Sequence, residues 1–413
     1  MPSISSCRFA RLAHRPVLLA VIVMAALGAV LRSLATDHVE TPLGDNVRMR
    51  GSLDNSRLAF ERTGKGKVAF MGGSITEMNG FRPLVCEGLK RRFPKTEFTF
   101  INSGVASTCS TTGAFRLESD ILADGPVDLL FVEFAVNDDQ DAHHTRAECV
   151  RGMEGILRHA RKRNPKLDIV VLYFVNPEML KTLQLGKTPL PIEAHETVAE
   201  RYGVPSVNVA KEAAEEITAG SLTWDAYGGT HPGPAGHALC ARMIDALFDA
   251  AWHNPAGTSV VPKAHKVPKD MLDPFSYADG RFLDPKLAKI EQGWTLAVPD
   301  WSRLPGAKRE RFTSLPMLCA TQPGAALSLE FAGSAIGAYI LAGPDAGIAE
   351  ARIDGGPFHE VDLYHAFSSG LHYPRTVLLG SELKAGRHIL VLRISPNTRS
   401  GGHAMRILQF TAN

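Results

Sequence analysis

Between residues 60 and 253, short apolar runs alternate with longer stretches of helical spacing, and this rhythm constrains the fold more than any other feature of the chain. Runs at 67–71, 97–101, 127–134, 167–173 and 206–209 read as strands, whereas 81–92, 145–162 and 235–252 carry apolar residues at helical intervals. Strands separated by helices cannot close tight hairpins, so the helices must cross over between parallel strands. The prediction is an α/β domain within 36–253: a parallel sheet covered by helices on both faces, three layers in all. Ligands of such sheets bind beyond the carboxyl ends of the strands.

The rhythm changes after residue 253. Segment 254–268 holds Pro255, Pro262 and Pro268 among Gly, Thr, Ser and Lys and is expected to be a linker. Beyond it, 326–331, 349–353, 360–364 and 389–394 alternate apolar and polar residues with period two, separated by turn signals such as Asp354-Gly355-Gly356. That alternation predicts a β-sandwich over 269–413.

Composition narrows the class of function. A chain of 413 residues that is 45 % hydrophobic and 21 % charged can bury sizeable cores, which excludes a disordered protein. A net charge of +2 gives no electrostatic case for nucleic acid as a partner. The basic excess is local: 1–35 contains Arg8, Arg11, Arg15 and Arg32, no acid, and the uncharged run 16–31. A basic start, a short apolar run and the small residues Ser33 and Ala35 predict a secretory signal peptide over 1–35, or an N-terminal anchor if it stays uncleaved. The expected location is periplasmic or extracellular, with membrane association only in the anchored case. Cys86, Cys109, Cys149, Cys240 and Cys319 show no CxxC or zinc spacing and are expected as buried free thiols.

Four polar segments carry the chemistry. Gly72-Gly73-Ser74-Ile75-Thr76, Asn102-Ser103-Gly104 and Val136-Asn137-Asp138 each follow a predicted strand, and Thr230-His231-Pro232 precedes the closing helix. In a parallel sheet they converge at one rim. A serine hydroxyl needs a base to become a nucleophile, histidine titrates in the range where it can serve, and a tetrahedral oxyanion needs preorganised donors. A Ser, a His and such donors are the parts for acyl transfer.

In order and approximate spacing over 60–245, these blocks resemble the SGNH (GDSL-like) hydrolase family, with Gly-Gly-Ser-Ile standing for Gly-Asp-Ser-Leu. The resemblance implies a flavodoxin-like α/β/α domain, Ser74 as nucleophile and His231 as general base. It also implies an oxyanion hole made by the backbone N–H groups of Ser74 and Gly104 and the side-chain amide of Asn137. It implies no cofactor and no metal. Segment 269–413 looks like the jelly-roll modules that accompany some carbohydrate esterases of this kind.

The chain departs from the family pattern at Gly228, where an Asp usually stands three residues before the His. The nearest acid is Asp225. Two arrangements stay open: Asp225 orients His231 from a differently shaped loop, or a backbone carbonyl does so and the centre is a Ser–His dyad. His143-His144 looks like a metal pair but has no third ligand at useful spacing, so solvent-facing loop histidines are expected. His195 reads as helix-surface packing. On the sandwich, His372, Tyr373 and Arg375 are candidate substrate contacts, unless they pack or seal the interface with the first domain.

The expectation is an exported serine ester hydrolase that removes acetyl groups from an acylated glycan, a carbohydrate O-acetylesterase. The alternatives are a lipase or acylhydrolase on other carboxyl esters, an acyltransferase, or a glycan-binding protein whose hydrolysis is weak because of Gly228.

Overall fold

The computed structural model describes residues 44–253 and 260–413; the expected export segment 1–35 and part of the expected linker, 254–259, lie outside the described residues. The first sheet contains β1 (Val47–Arg48), β2 (Lys65–Gly72), β3 (Glu97–Gly104), β4 (Leu129–Glu133), β5 (Asp168–Tyr173) and β6 (Ser206–Asn208). Strands β2 to β6 run parallel in the order β3-β2-β4-β5-β6, and β1 adds an antiparallel edge on β6. The apolar runs of β2 and β4 are fully buried and meet through Phe70 and Phe131, stacked at 4.9 Å. They are continuous rather than alternating because helices cover both faces of the sheet.

Those helices are α1 (Asp54–Thr63), α2 (Ser74–Glu77), α3 (Phe81–Arg92), α4 (Ser110–Leu117), α5 (Arg146–Arg163), α6 (Pro177–Gln184), α7 (Leu190–Tyr202), α8 (Val209–Ala219), α9 (Trp224–Tyr227) and α10 (Pro234–Trp252). Several begin where a polar side chain accepts a first-turn N–H: Thr145 for α5, Asn176 for α6, Asn208 for α8 and Thr223 for α9. From β2 the chain passes to β3 on one side and then to β4 on the other. The crevice beyond the carboxyl ends of β2 and β4 is therefore the topological switch point. None of these helices, nor any other among the described residues, is long and apolar enough to cross a membrane. The five described cysteines are free thiols; Cys109, Cys149 and Cys240 are buried as expected, whereas Cys86 and Cys319 are only partly buried.

The second half is antiparallel. Its strands are β7 (Arg281–Leu283), β8 (Lys289–Gln292), β9 (Thr295–Ala297), β10 (Met317–Ala320), β11 (Ala326–Gly333), β12 (Ile336–Ala342), β13 (Ile348–Ile353), β14 (His359–Asp362), β15 (Tyr373–Gly380), β16 (Gly386–Ile394) and β17 (Met405–Ala412). One sheet has the order β15-β12-β17-β10-β9, with β7 also on β17; the other has β14-β13-β16-β11-β8. Leu327, Leu329, Ile340, Leu390, Leu392 and Ile407 pack between them, which makes the expected sandwich.

The four alternating runs read from the sequence are β11, β13, β14 and β16, all in the sheet that faces solvent on one side. Strand β12 gave no such signal, because every one of its residues is buried. Its sheet covers the sandwich core with one face and the α/β half with the other, where Val105 meets Phe312, Met317, Tyr339 and Leu341. A strand buried on both faces has no reason to alternate.

The described part of the expected linker is laid along the α/β half. Asn55 donates to the Lys263 carbonyl at 2.8 Å, and His265 Nε2 lies 2.7 Å from the buried carboxylate of Asp168. The chain then follows α5, where the buried Glu154 carboxylate accepts from Leu272 N at 2.8 Å, Asp273 N at 3.2 Å, Ser276 Oγ at 2.5 Å and Tyr202 Oη at 2.9 Å. Glu154→Ala strands these donors, and the unsatisfied groups should cost about 3 kcal/mol. Urea denaturation of the variant measures this loss; a change below about 1 kcal/mol would mean that Glu154 does not hold the strap.

Candidate active site

Strand β2 ends at Gly72, Gly73 turns the chain, and Ser74 opens α2. Both glycines are required by close approach. A Cβ on Gly72 would lie 2.7 Å from the Glu133 carbonyl oxygen, and one on Gly73 would lie 2.0 Å from Asn137 Oδ1. Ser74 Oγ is 2.8 Å from His231 Nε2, which arrives from 157 residues away on the loop before α10. At the end of β3, a Cβ on Gly104 would lie 2.2 Å from Glu77 N, so the β3 backbone lies directly against α2. Asn137, in the turn after β4, is 2 % exposed. The structure thus brings Ser74, His231, Gly104 and Asn137 to one rim.

The three expected oxyanion donors differ in state. The Ser74 N–H belongs to the first turn of α2, where helix geometry leaves it without an intrahelical partner. The Gly104 N–H donates to Asn102 Oδ1 at 3.0 Å, so its single hydrogen is engaged. Asn137 Nδ2 donates one hydrogen to Asp141 Oδ2 and keeps a second. Burial raises the Asp141 carboxyl above its ordinary range, while the bond from Asn137 and the charge of His231 pull it back.

The loop ahead of His231 explains the departure from the family pattern. Gly228 and Gly229 have φ of +104° and +82°, in the left-handed region. A Cβ on Gly228 would lie 1.9 Å from Gly233 N, because the Gly233 N–H closes the turn onto the Tyr227 carbonyl at 2.7 Å. No side chain fits where the family places its acid. Asp225 is exposed in α9 and makes no hydrogen bond to His231. Nor, among the described residues, does a carbonyl reach the other ring nitrogen of His231. Gly228→Asp should therefore lower stability by at least about 1 kcal/mol without raising esterase kcat/KM. Thermal melts and p-nitrophenyl acetate kinetics test this; higher activity in a stable variant would show that the position accepts an acid.

Glu133, at the end of β4, was not singled out by sequence because an acid at a strand end is unremarkable there. Its carboxyl is fully buried beneath the Ser74 turn and accepts from Thr76 Oγ1 at 3.2 Å, while its other oxygen has no partner. Burial pushes it from 4.5 up to about 7. The folded state binds this proton more tightly than the unfolded state. Its contribution to stability is complete below pH 4.5 and is lost as pH rises through about 7. Glu133→Gln should flatten the decline in stability between pH 5 and 8, read as denaturation midpoints; an unaltered decline would exclude Glu133 as its source.

The remaining expectations fare unevenly. His372 is 1 % exposed, with Nε2 2.9 Å from the Pro305 carbonyl and its ring edge-on to Trp301, so burial removes it from the candidate substrate contacts. Tyr373 donates to the Ser107 carbonyl at 3.1 Å and stacks on His365 at 4.3 Å, which seals the interface. Tyr373 and Arg375 line a cavity of about 260 Å³ between the two halves, together with Asp141 and Thr111. His195 does not lie on the helix surface: it is fully buried and bonds to Asp138 at 2.9 Å. His143 is exposed as expected, but His144 turns inward beside Asp138.

A helical turn without a sequence signal, α11 (Glu310–Thr313), reaches the rim from the second half. Beside it, Arg309 donates to the Ala106 carbonyl at 2.7 Å and to Ser107 Oγ at 2.8 Å. Arg311 donates to the Gly104 carbonyl at 3.0 Å and to Glu77 Oε1 at 2.6 Å. Two arginines in a loop carry no pattern that marks such contacts.

Residues 70–239 match the GDSL-like lipase/acylhydrolase family. The fold of both halves is shared with a two-domain esterase (CEX) active on acetylated mannans, solved with mannopentaose: 20 % identity, 89 % of this chain and 96 % of that chain, TM-score 0.70. A second structure of a two-domain esterase (CEX) active on acetylated mannans gives 22 % identity over 89 % of this chain and 97 % of that chain, again at TM-score 0.70. No curated protein matches the sequence.

Proposed function

We infer, from the match of residues 70–239 to the GDSL-like lipase/acylhydrolase family, that the chain is a carboxylic ester hydrolase that removes acetyl groups from an O-acetylated glycan outside the cytoplasm. The observation that carries this reading is the 2.8 Å approach of His231 Nε2 to Ser74 Oγ. That distance lets the imidazole take the hydroxyl proton as the oxygen attacks. Ser74 Oγ bonds to the acetyl carbonyl carbon, and the oxyanion forms toward the Ser74 N–H and the second amide hydrogen of Asn137. His231 then gives its proton to the sugar oxygen, which leaves as the alcohol. Water, deprotonated by His231, attacks the acetyl-serine, and collapse releases acetate and restores Ser74.

The glycan reading is supported by the fold shared with esterases active on acetylated mannans. It also fits the exposed position of His231, open to a polymer rather than sunk in a tunnel. The export reading rests on the basic and apolar pattern of 1–35.

Ser74→Ala and His231→Ala should each lower kcat/KM for p-nitrophenyl acetate by about 10³-fold or more, and Asn137→Ala by about 10²-fold. The wild-type chain should release acetate from acetylated mannan and lose activity as the acyl chain lengthens. Turnover retained by Ser74→Ala would overturn the nucleophile, and equal rates on acetyl and octanoyl esters would overturn the acetylesterase reading.

A further inference from the structure

The turn that carries Asn137 continues into a second cluster of donor atoms, away from Ser74 and His231. Cys109 Sγ, a carboxylate oxygen of Asp138 and a ring nitrogen of His144 all lie within 4.8 Å of one another. They come from separate places: Cys109 caps α4, Asp138 follows β4, and His144 closes the loop before α5. His144 Nδ1 is 3.4 Å from Asp138 Oδ1 and is buried with no hydrogen-bond partner. Its other nitrogen, Nε2, lies 3.4 Å from Thr111 Oγ1. One ring nitrogen thus faces the cluster while the other faces a hydroxyl, which is how metal-binding histidines are usually oriented. Cys109 and His144 also line the cavity of about 260 Å³ between the halves, which gives the cluster an access route and room for a water ligand.

We propose that Cys109, Asp138 and His144 bind a divalent transition-metal ion of the zinc type, which fastens the Asn137 turn to the start of α4. Thiolate, imidazole and carboxylate together suit such an ion and suit neither calcium nor magnesium. Tetrahedral zinc holds its donors about 3.5 Å apart, so closure around the ion needs shifts of about 1 Å. Binding displaces the Cys109 thiol proton to solvent and leaves the site with three protein ligands and one open position.

The adjoining set of Asp138, Cys149 and His195 shares the same carboxylate but is sealed. Asp138 Oδ2 already accepts from His195 Nε2 at 2.9 Å and from Ser110 Oγ at 2.6 Å. This second set is the strut that holds Asp138 in position for the first.

The test uses the full untagged chain, purified under reducing conditions and stripped with a chelator. Calorimetric titration with Zn²⁺ should show one saturable site, and Co²⁺ should give a sulfur-to-cobalt charge-transfer band. Cys109→Ser should abolish that band and weaken Zn²⁺ binding at least about 10-fold, and Thr111→Val should weaken binding about 10-fold. His143→Ala, one residue away and exposed, should change neither. No saturable binding at millimolar Zn²⁺, or a charge-transfer band that survives Cys109→Ser, overturns the proposal. X-ray absorption of the zinc-loaded wild-type chain decides the question if the variants do not fold: one sulfur scatterer supports the site, and a shell of nitrogen and oxygen alone overturns it.

Discussion

The buried guanidinium of Arg116 ties together the strand ends on which the rest of the site depends. It is 1 % exposed and donates to the Ser103 carbonyl at 2.7 Å, to Ser103 Oγ at 2.8 Å, to the Gly72 carbonyl at 3.0 Å and to Asp120 at 2.8 Å. Gly72 and Ser103 lie in the last paired positions of β2 and β3, just before the strands diverge past Gly72 and Gly104. Their carbonyls would otherwise be buried without a full set of partners. Burying a cation is costly; here the acceptors of the two terminal nitrogens include a carboxylate, while the buried Nε has no hydrogen-bond partner. Arg116 belongs to α4, whose first residue, Ser110, is bonded through N and Oγ to Asp138 at 2.8 and 2.6 Å. One short helix therefore joins the ends of β2, β3 and β4, and so fixes Ser74, Gly104 and Asn137 relative to each other.

The sandwich completes this arrangement from outside. Several of its polar contacts fall on the same rim. Arg309 and Arg311 hold 104–107, His365 Nε2 lies 2.7 Å from the Asp141 carbonyl, and Thr112 donates to Thr376 at 2.9 Å. Beneath them lies the apolar contact of Val105 with Tyr339 and Leu341. A module that were only tethered would leave those rim carbonyls to water. Here the second half supplies their donors, so rim geometry and domain docking are coupled.

How much of this could be read from the sequence follows from what each signal measures. The strands β2, β4 and β5 were legible because helices on both faces leave continuous apolar runs, and β3, β11, β13, β14 and β16 because they alternate apolar and polar residues. Strands β12 and β17 fit neither pattern, since their sheet is buried against two different partners. Ser74, His231, Gly104 and Asn137 were legible as short blocks at strand ends. Arg116, Glu133 and Arg311 were not, because each acts through residues far away in sequence. His144 shows the limit most clearly. Sequence spacing places no third ligand beside His143-His144, whereas the fold brings Cys109, 35 positions upstream, next to His144.

The loop before His231 shows how the centre can dispense with the usual acid. Such an acid does two things: it fixes the imidazole and it stabilises the imidazolium. Orientation here comes from the backbone, through two left-handed glycines, the Gly233 to Tyr227 bond at 2.7 Å and a buried Tyr227 stacked on Trp224 at 5.5 Å. The space an acid would need is the space that this turn closes. The Asp141 carboxyl, raised by burial, is pulled back by its bond from Asn137 and by the charge of His231. Asp141 also holds the Asn137 amide, so in the proposed reaction one carboxylate faces both the base and the oxyanion donor.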